Sequence, residues 1–267
     1  LAGATTGSAT LTGINDLVYE GNELVLINVT GVSANAINSA TQQTLTLVDD
    51  EVSPLVSLAA APGTFAENGG STTVTASLNN AATGDVTVTL AYTGSASLAT
   101  DYSAAASITL PGGATSASFN LTSLDDVVYE GNETFTIDIS GATGAAENGT
   151  QQSNLTINDN EVTPNLTMLL NPVSFGENGG SSTLTFTLDN PTTFALTINL
   201  ASTGSAVYAT DYTASSGSIS IAAFATTTSI TVSALHDALF EGNESAVVTI
   251  SSAPGVTNTS TAQTLTI

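Results

Sequence analysis

Asp125-Asp126-Val127-Val128-Tyr129-Glu130-Gly131-Asn132-Glu133 runs straight into Thr134-Phe135-Thr136-Ile137-Asp138-Ile139. The second part alternates. Phe135, Ile137 and Ile139 share one face, and Thr134, Thr136 and Asp138 take the other, which is the period-two pattern of a half-buried β-strand. The first part packs four carboxylates into nine residues. It recurs as Asn15-Asp16-Leu17-Val18-Tyr19-Glu20-Gly21-Asn22-Glu23 and as His236-Asp237-Ala238-Leu239-Phe240-Glu241-Gly242-Asn243-Glu244, at spacings of 110 and 111 residues.

Other pieces keep the same period. Phe65-Ala66-Glu67-Asn68-Gly69-Gly70 returns as Phe175-Gly176-Glu177-Asn178-Gly179-Gly180, and Ala99-Thr100-Asp101-Tyr102 returns as Ala209-Thr210-Asp211-Tyr212. Asp49-Asp50-Glu51-Val52-Ser53-Pro54 returns as Asp159-Asn160-Glu161-Val162-Thr163-Pro164. A period this long is a whole domain, not a solenoid turn. Residues 1–52 match the second half of the unit, 53–162 make one complete unit, and 163–267 make a third without its acidic tail. Two readings of the half unit stand: a window cut from a longer tandem array, or strands exchanged between neighbouring subunits to complete it. The start at Leu1 shows no signal peptide, so a mature or internal piece is expected.

Inside a unit the alternation repeats. Val74, Ala76 and Leu78 form one face, Val86, Val88, Leu90 and Tyr92 the next, then Ile108 and Leu110, then Ala117, Phe119 and Leu121, with Leu155 and Ile157 closing the set. Thr dominates the outward positions and suits strands. Pro and Gly mark the gaps. No amphipathic helix of useful length appears. About seven short strands per unit predict an all-β chain of tandem immunoglobulin-like β-sandwiches. Without Cys or Trp, these are not antibody-type domains. The linkers Val52-Ser53-Pro54 and Val162-Thr163-Pro164 are short and stiffened by Pro, so successive units are expected to touch at the acidic tail.

The chain holds 23 acids, one His and no Lys or Arg, for a formal charge of −23. Nucleic-acid binding through phosphates needs basic side chains, and attraction to anionic lipid does too. No apolar run is long enough for a membrane-spanning helix, so direct membrane insertion is not expected. Nineteen of the 23 acids sit in the repeated loci. They are Asp16, Glu20, Glu23, Asp49, Asp50 and Glu51 in the first unit, and Glu67, Asp101, Asp125, Asp126, Glu130, Glu133, Asp159 and Glu161 in the second. Glu177, Asp211, Asp237, Glu241 and Glu244 complete the set in the third, while Asp85, Asp138, Glu147 and Asp189 fall outside it. Carboxylates crowded without cations repel, and a hard divalent ion with six to eight oxygen ligands relieves them; this points to Ca²⁺ over Mg²⁺ and against Zn²⁺ in a chain without Cys.

Glu-Asn-Gly-Gly, Thr-Asp-Tyr, Asp-Asp-x-x-x-Glu-Gly-Asn-Glu and the closing Asp-Asp-Glu, in this order and period, resemble the Calx-β domain. That family is an immunoglobulin-like sandwich found in sodium–calcium exchangers, integrin β4 and many bacterial surface proteins. The resemblance covers the whole chain and implies that the nineteen acids stand at calcium-ligand positions. Asn15, His236 and Asn160 replace acids of the pattern. Asn still offers a carbonyl, but His is a poor calcium ligand, so weaker ion binding is expected in the third unit. His236 itself reads as a loop residue, and Tyr102 and Tyr212 as core or loop-anchoring aromatics. Asn-x-Ser/Thr triplets at Asn28, Asn120, Asn132 and Asn165 leave glycosylation open.

No Ser–His–Asp arrangement repeats, and the chain has no Cys, Lys or Arg, so an enzyme is not expected. The expected function is a calcium-stiffened structural module of an extracellular, bacterial cell-surface protein: an adhesin stalk or a filament body. Its partners would be neighbouring repeats of the same or an identical chain, with filament self-assembly among the arrangements left open. A calcium-sensing or ligand-binding module is the alternative.

Overall fold

Thr-rich alternation gives strands throughout. The computed structural model describes all residues except 1–4, 34–35, 215–217 and 239; Leu239 of the third acidic motif lies outside the described residues. All regular elements among them are strands. The first repeat region carries β1 (Val18–Tyr19), β2 (Glu23–Ile27) and β3 (Gln43–Leu47), of which β2 and β3 pair as a two-stranded antiparallel sheet. No second sheet covers that pair among the described residues. Leu24 and Leu26 are accordingly 67% and 57% exposed.

The middle region runs β4 (Leu55–Ala61), β5 (Thr64–Ala66), β6 (Ser71–Leu78), β7 (Ala81–Ala82), β8 (Val86–Gly94), β9 (Tyr102–Ser103) and β10 (Ser107–Leu110). It continues through β11 (Ser116–Ser123), β12 (Glu133–Thr143), β13 (Ala146–Glu147) and β14 (Gln152–Asn158). Two five-stranded sheets result, in the orders β10-β8-β12-β14-β5 and β13-β4-β6-β11-β9. Inward residues of the predicted faces meet between them. Val74, Val88 and Ile137 are wholly buried, and Tyr102 stacks on Phe135 with ring centroids 4.2 Å apart. Burial of this alternating apolar face is the main drive for the sandwich.

The last region repeats the plan with β15 (Asn165–Asn171), β16 (Ser181–Leu188), β17 (Leu196–Gly204), β18 (Tyr212–Ala214) and β19 (Ser218–Ile221). Then come β20 (Thr227–Ala234), β21 (Ser245–Ser252), β22 (Thr257–Asn258) and β23 (Gln263–Thr266). Its sheets are β18-β20-β16-β15-β22 and β19-β17-β21-β23. The counterpart of β5 is reduced to one parallel bridge, Ser174 to Thr266. Leu166, Phe186 and Ile198 are wholly buried in this core.

One backbone device is shared. β8 and β17 end at Gly94 and Gly204, where a Cβ would lie 2.2 Å from the Thr134 carbonyl and 2.0 Å from the Ser245 carbonyl. Only Gly allows such an approach. By its contacts the chain gathers into two compact units, one of residues 1–65, 70–123 and 134–156, the other of 66–69, 124–133 and 157–267. The acidic loops 66–69 and 124–133 therefore belong to the unit that holds the third repeat.

Candidate metal centre

The acids are placed by backbone geometry before any ion is considered. In the Glu-Gly-Asn motif the Gly adopts a left-handed conformation, with φ of 73° at Gly21, 75° at Gly131 and 80° at Gly242. This is accessible to Gly at no steric cost. It turns the chain sharply after two successive N–H groups that share one acceptor. One oxygen of Asp159 accepts from Glu130 N at 3.0 Å and Gly131 N at 2.6 Å, while its other oxygen accepts from Glu161 N at 2.8 Å. Asp49 does the same with Glu20 N, Gly21 N and Glu51 N, at 2.9, 2.5 and 3.0 Å. These bonds, led by that from Glu51, hold the Asp49 carboxyl below its ordinary range. Asp49 and Asp159 thus staple the acidic loop to the acidic tail 29 residues away.

The remaining placements follow local turns. Asp16 and Asp126 cap their own turns, accepting from Val18 N at 2.8 Å and Val128 N at 2.7 Å. Asp101 and Asp211 are buried and accept from Ser97 N at 2.5 Å and Val207 N at 2.6 Å. Their loops carry Ala99 and Ala209 at φ of 71° and 67°, an uncommon conformation for a residue with a Cβ and one that concentrates at functional loops. Three of the four acids outside the repeated loci also cap backbone: Asp85 receives Gly112 N, Glu147 receives Gln151 N, and Asp189 receives Asn165 N.

Against this frame some carboxylates converge. Glu67, Asp159 and Glu161 each bring an oxygen within 4.8 Å of the others. Glu67 is 4% exposed, and Glu161 Oε2 is buried with no hydrogen-bond partner. Burial, then the charge of Asp159, raises the Glu67 carboxyl to about 7. Burial, then hydrogen bonding with Asp159, raises Glu161 to about 7 as well. Asp125 contributes repulsion at Glu161, and Asp126 and Glu130 at Glu67. Full negative charge on such a group costs free energy unless a cation shares the site.

Within a single unit, three further groups meet the same distance criterion. Asp49, Asp50 and Glu51 form one, in a cleft also lined by Asp16, Glu20 and Glu23. Burial foremost raises Glu20 and Glu51. Asp211, Glu241 and Glu244 form another, and Glu177, Asp237 and Glu241 a third. Burial foremost, then Asp237 for Glu241 and Asp211 for Glu244, raises those two carboxyls. Asp101, Glu130 and Glu133 stand at the sequence positions equivalent to Asp211, Glu241 and Glu244. His236 is exposed, with Nδ1 3.8 Å from Glu177 Oε1. Among the described residues these donor sets are all oxygen. They fit a hard divalent cation, and the orphan oxygen of Glu161 shows where a ligand-to-cation bond would complete the coordination.

Two roles were not visible in the sequence. Asn22 holds the tail from its side chain, accepting Asp49 N at 3.1 Å. The motif tyrosines join repeats: Val18 and Tyr19 pair in parallel with Ala81 and Ala82, and Tyr129 bridges Thr192. A tyrosine flanked by acids reads as a loop residue, and nothing in its own sequence marks a bridge partner over 60 residues away.

Comparison with known proteins sets these features in a family. The sequence profile described as Calx-beta domain matches residues 49–161 and 168–267. No curated protein matches the chain. Among solved structures, the CBD12 of CALX1.2 is 17% identical over 73% of this chain and 79% of its own, with a TM-score of 0.35. The apo-form Calx CBD1 domain is 22% identical, over 40% of this chain and 99% of its own, with a TM-score of 0.34.

Proposed function

The chain belongs to the Calx-beta domain family, and from that premise we propose that it is a calcium-binding structural module, in which ions at the acidic poles order the loops and stiffen the joints of a tandem array. Calx-beta domains are calcium-binding modules, and the chain carries two consecutive matches to them. The observation that carries the reading is the Glu67–Asp159–Glu161 cluster: three carboxylates within 4.8 Å, one oxygen buried without a partner, and no Lys or Arg in the chain to neutralise them.

Bound calcium would supply the positive charge the sequence lacks. Glu67 and Glu161 would hold it, with the free electron pairs of Asp159 beside them. Asp159 already fixes Glu130 and Gly131, so the tail would be anchored from two sides. The Asp49–Asp50–Glu51 group is the corresponding tail site of the first repeat, and Asp211–Glu241–Glu244 would hold an ion from other loci of the third. A role outside the cell, on a bacterial surface as part of a stalk or filament, accords with a demand for abundant calcium. The reading is architectural and assigns no catalytic residue.

Calcium binding to the folded state stabilises it by mass action, by about 2.7 kcal/mol at a hundred-fold excess over Kd. Thermal melts with EDTA and with millimolar Ca²⁺ test this, and a rise in Tm with calcium is expected. Coincident melts would overturn the calcium reading. Small-angle scattering under the same two conditions tests stiffening, with a longer and narrower distribution of particle lengths expected in calcium.

A further inference from the structure

The same joint occurs twice, and its third donor stands open. In the first joint β1 lies parallel to β7, with Tyr19 opposite Ala82, and Thr83 N donates to Tyr19 O at 3.2 Å. In the second, Tyr129 N donates to Pro191 O at 2.9 Å, Thr193 N donates to Tyr129 O at 3.4 Å, and Tyr129 pairs with Thr192. Ala81-Ala82-Thr83 and Pro191-Thr192-Thr193 are equivalent positions of consecutive repeats, 110 residues apart. The receiving residues are buried, Ala82 at 6% exposure and Thr192 at 0%. Both tyrosines are half-buried. Their equivalent in the third motif is Phe240, which is 100% exposed.

An aromatic ring wholly in water is unusual on a soluble surface and marks an interaction site when its equivalents are covered. Both receiving turns in the described structure are already held, by Tyr19 and by Tyr129. We propose that the Phe240 loop docks the corresponding turn of a further sandwich of this same repeat, joined in tandem after Ile267. Phe240 would make a main-chain bridge to that turn, and its ring would leave water. The occupant must be tethered. One aromatic and a short bridge bury little surface, and separate copies of a chain with charge −23 repel. A covalent link supplies the missing association through effective concentration. The inference rests on the tandem-module reading but not on its calcium.

The chain contains no Trp, so a Phe240→Trp reporter is spectroscopically clean. Ile267 is equivalent to Ile157, so appending residues 158–267 after Ile267 continues the repeat without a break and supplies a second Pro191–Thr193 turn. Appending residues 48–157 instead supplies an Ala81–Thr83 turn, which guards against one extension failing to fold. In calcium, indole emission in either extended chain is expected to shift to the blue, and acrylamide quenching to fall several-fold relative to the unextended chain. Tyr129→Trp in the unextended chain gives the docked reference. A Thr193→Pro substitution confined to the added copy removes one bridging N–H and should raise quenching again. Unchanged quenching in both extended chains would overturn the proposal. So would a blue shift in the unextended chain that grows with its concentration, because the occupant would then be a second copy. Repeating the reading in EDTA separates the two claims: docking retained without any calcium response sinks the calcium reading alone.

Discussion

Asp159 accepts the peptide N–H of Glu130 across 29 residues of sequence, at 3.0 Å. The same carboxylate takes Gly131 N and Glu161 N. Its first duty is therefore structural. Asp159→Ala should cost about 2–3 kcal/mol, the scale of several charge-assisted bonds in a partly exposed loop. The loss should appear in EDTA as well as in calcium. A melt in each condition checks it: a variant harmless in EDTA would mean that the bonds carry no stability.

Glu161 should behave in the opposite way. Its Oε2 is buried without a partner, and burial raises its pKa to about 7. Glu161→Gln removes the charge while keeping the shape. In EDTA the variant should be more stable than the parent by about 1 kcal/mol. In calcium it should bind the ion about ten-fold more weakly, equivalent to about 1.4 kcal/mol. Isothermal titration with calcium and a paired melt in EDTA read both signs.

Glu67 and Glu161 also set a pH dependence. Both titrate near 7 when folded, against an ordinary value of 4.5. Between those values the folded chain binds more protons than the unfolded chain, so calcium-free stability falls as pH rises through this window and levels off above it. With calcium the trend should reverse, because protons displace the ion as pH falls through about 7. Tm measured from pH 5 to 8 in EDTA and in calcium should give slopes of opposite sign.

Tyr92 is one of the aromatics at which the two sandwiches differ. Tyr92 packs 5.9 Å from Tyr102 and donates its hydroxyl to Ala105 O at 2.6 Å. Ser202 stands at the equivalent position, in an apolar cleft lined by Leu200, Tyr208, Tyr212 and Val248. Tyr92→Ser should destabilise by about 2–3 kcal/mol, toward the lower end of large-to-small losses because the ring is partly exposed. Ser202→Tyr should stabilise by about 1 kcal/mol by filling the cleft. Chemical denaturation of both variants checks the pair.

Much of this was legible before any coordinates. Alternation located the strands from Ser71–Leu78 to Gln152–Asn158, because each has one face against an opposing sheet. Spacing and the absence of countercharge mark the repeated acids Glu67, Asp159 and Glu161, and the fold brings them together. What spacing left unspoken was the division of labour. That Asp159 braces main chain while Glu161 keeps an unbonded oxygen depends on where the N–H groups of Glu130, Gly131 and Glu161 lie, and charge patterns do not encode that. Asp85, Glu147 and Asp189 fell outside the clusters and proved to be turn caps, a role any Asp or Glu near a free N–H can fill. The bridge from Tyr129 to Thr192 was unreadable for another reason: its partner is chosen by main-chain geometry, which side-chain identity does not encode.

A contact written in peptide groups tolerates Ala-Ala-Thr in one place and Pro-Thr-Thr in another. Unequal crossing-over could then lengthen or shorten the gene by whole modules, since each newcomer would find a compatible neighbour without first having to evolve one.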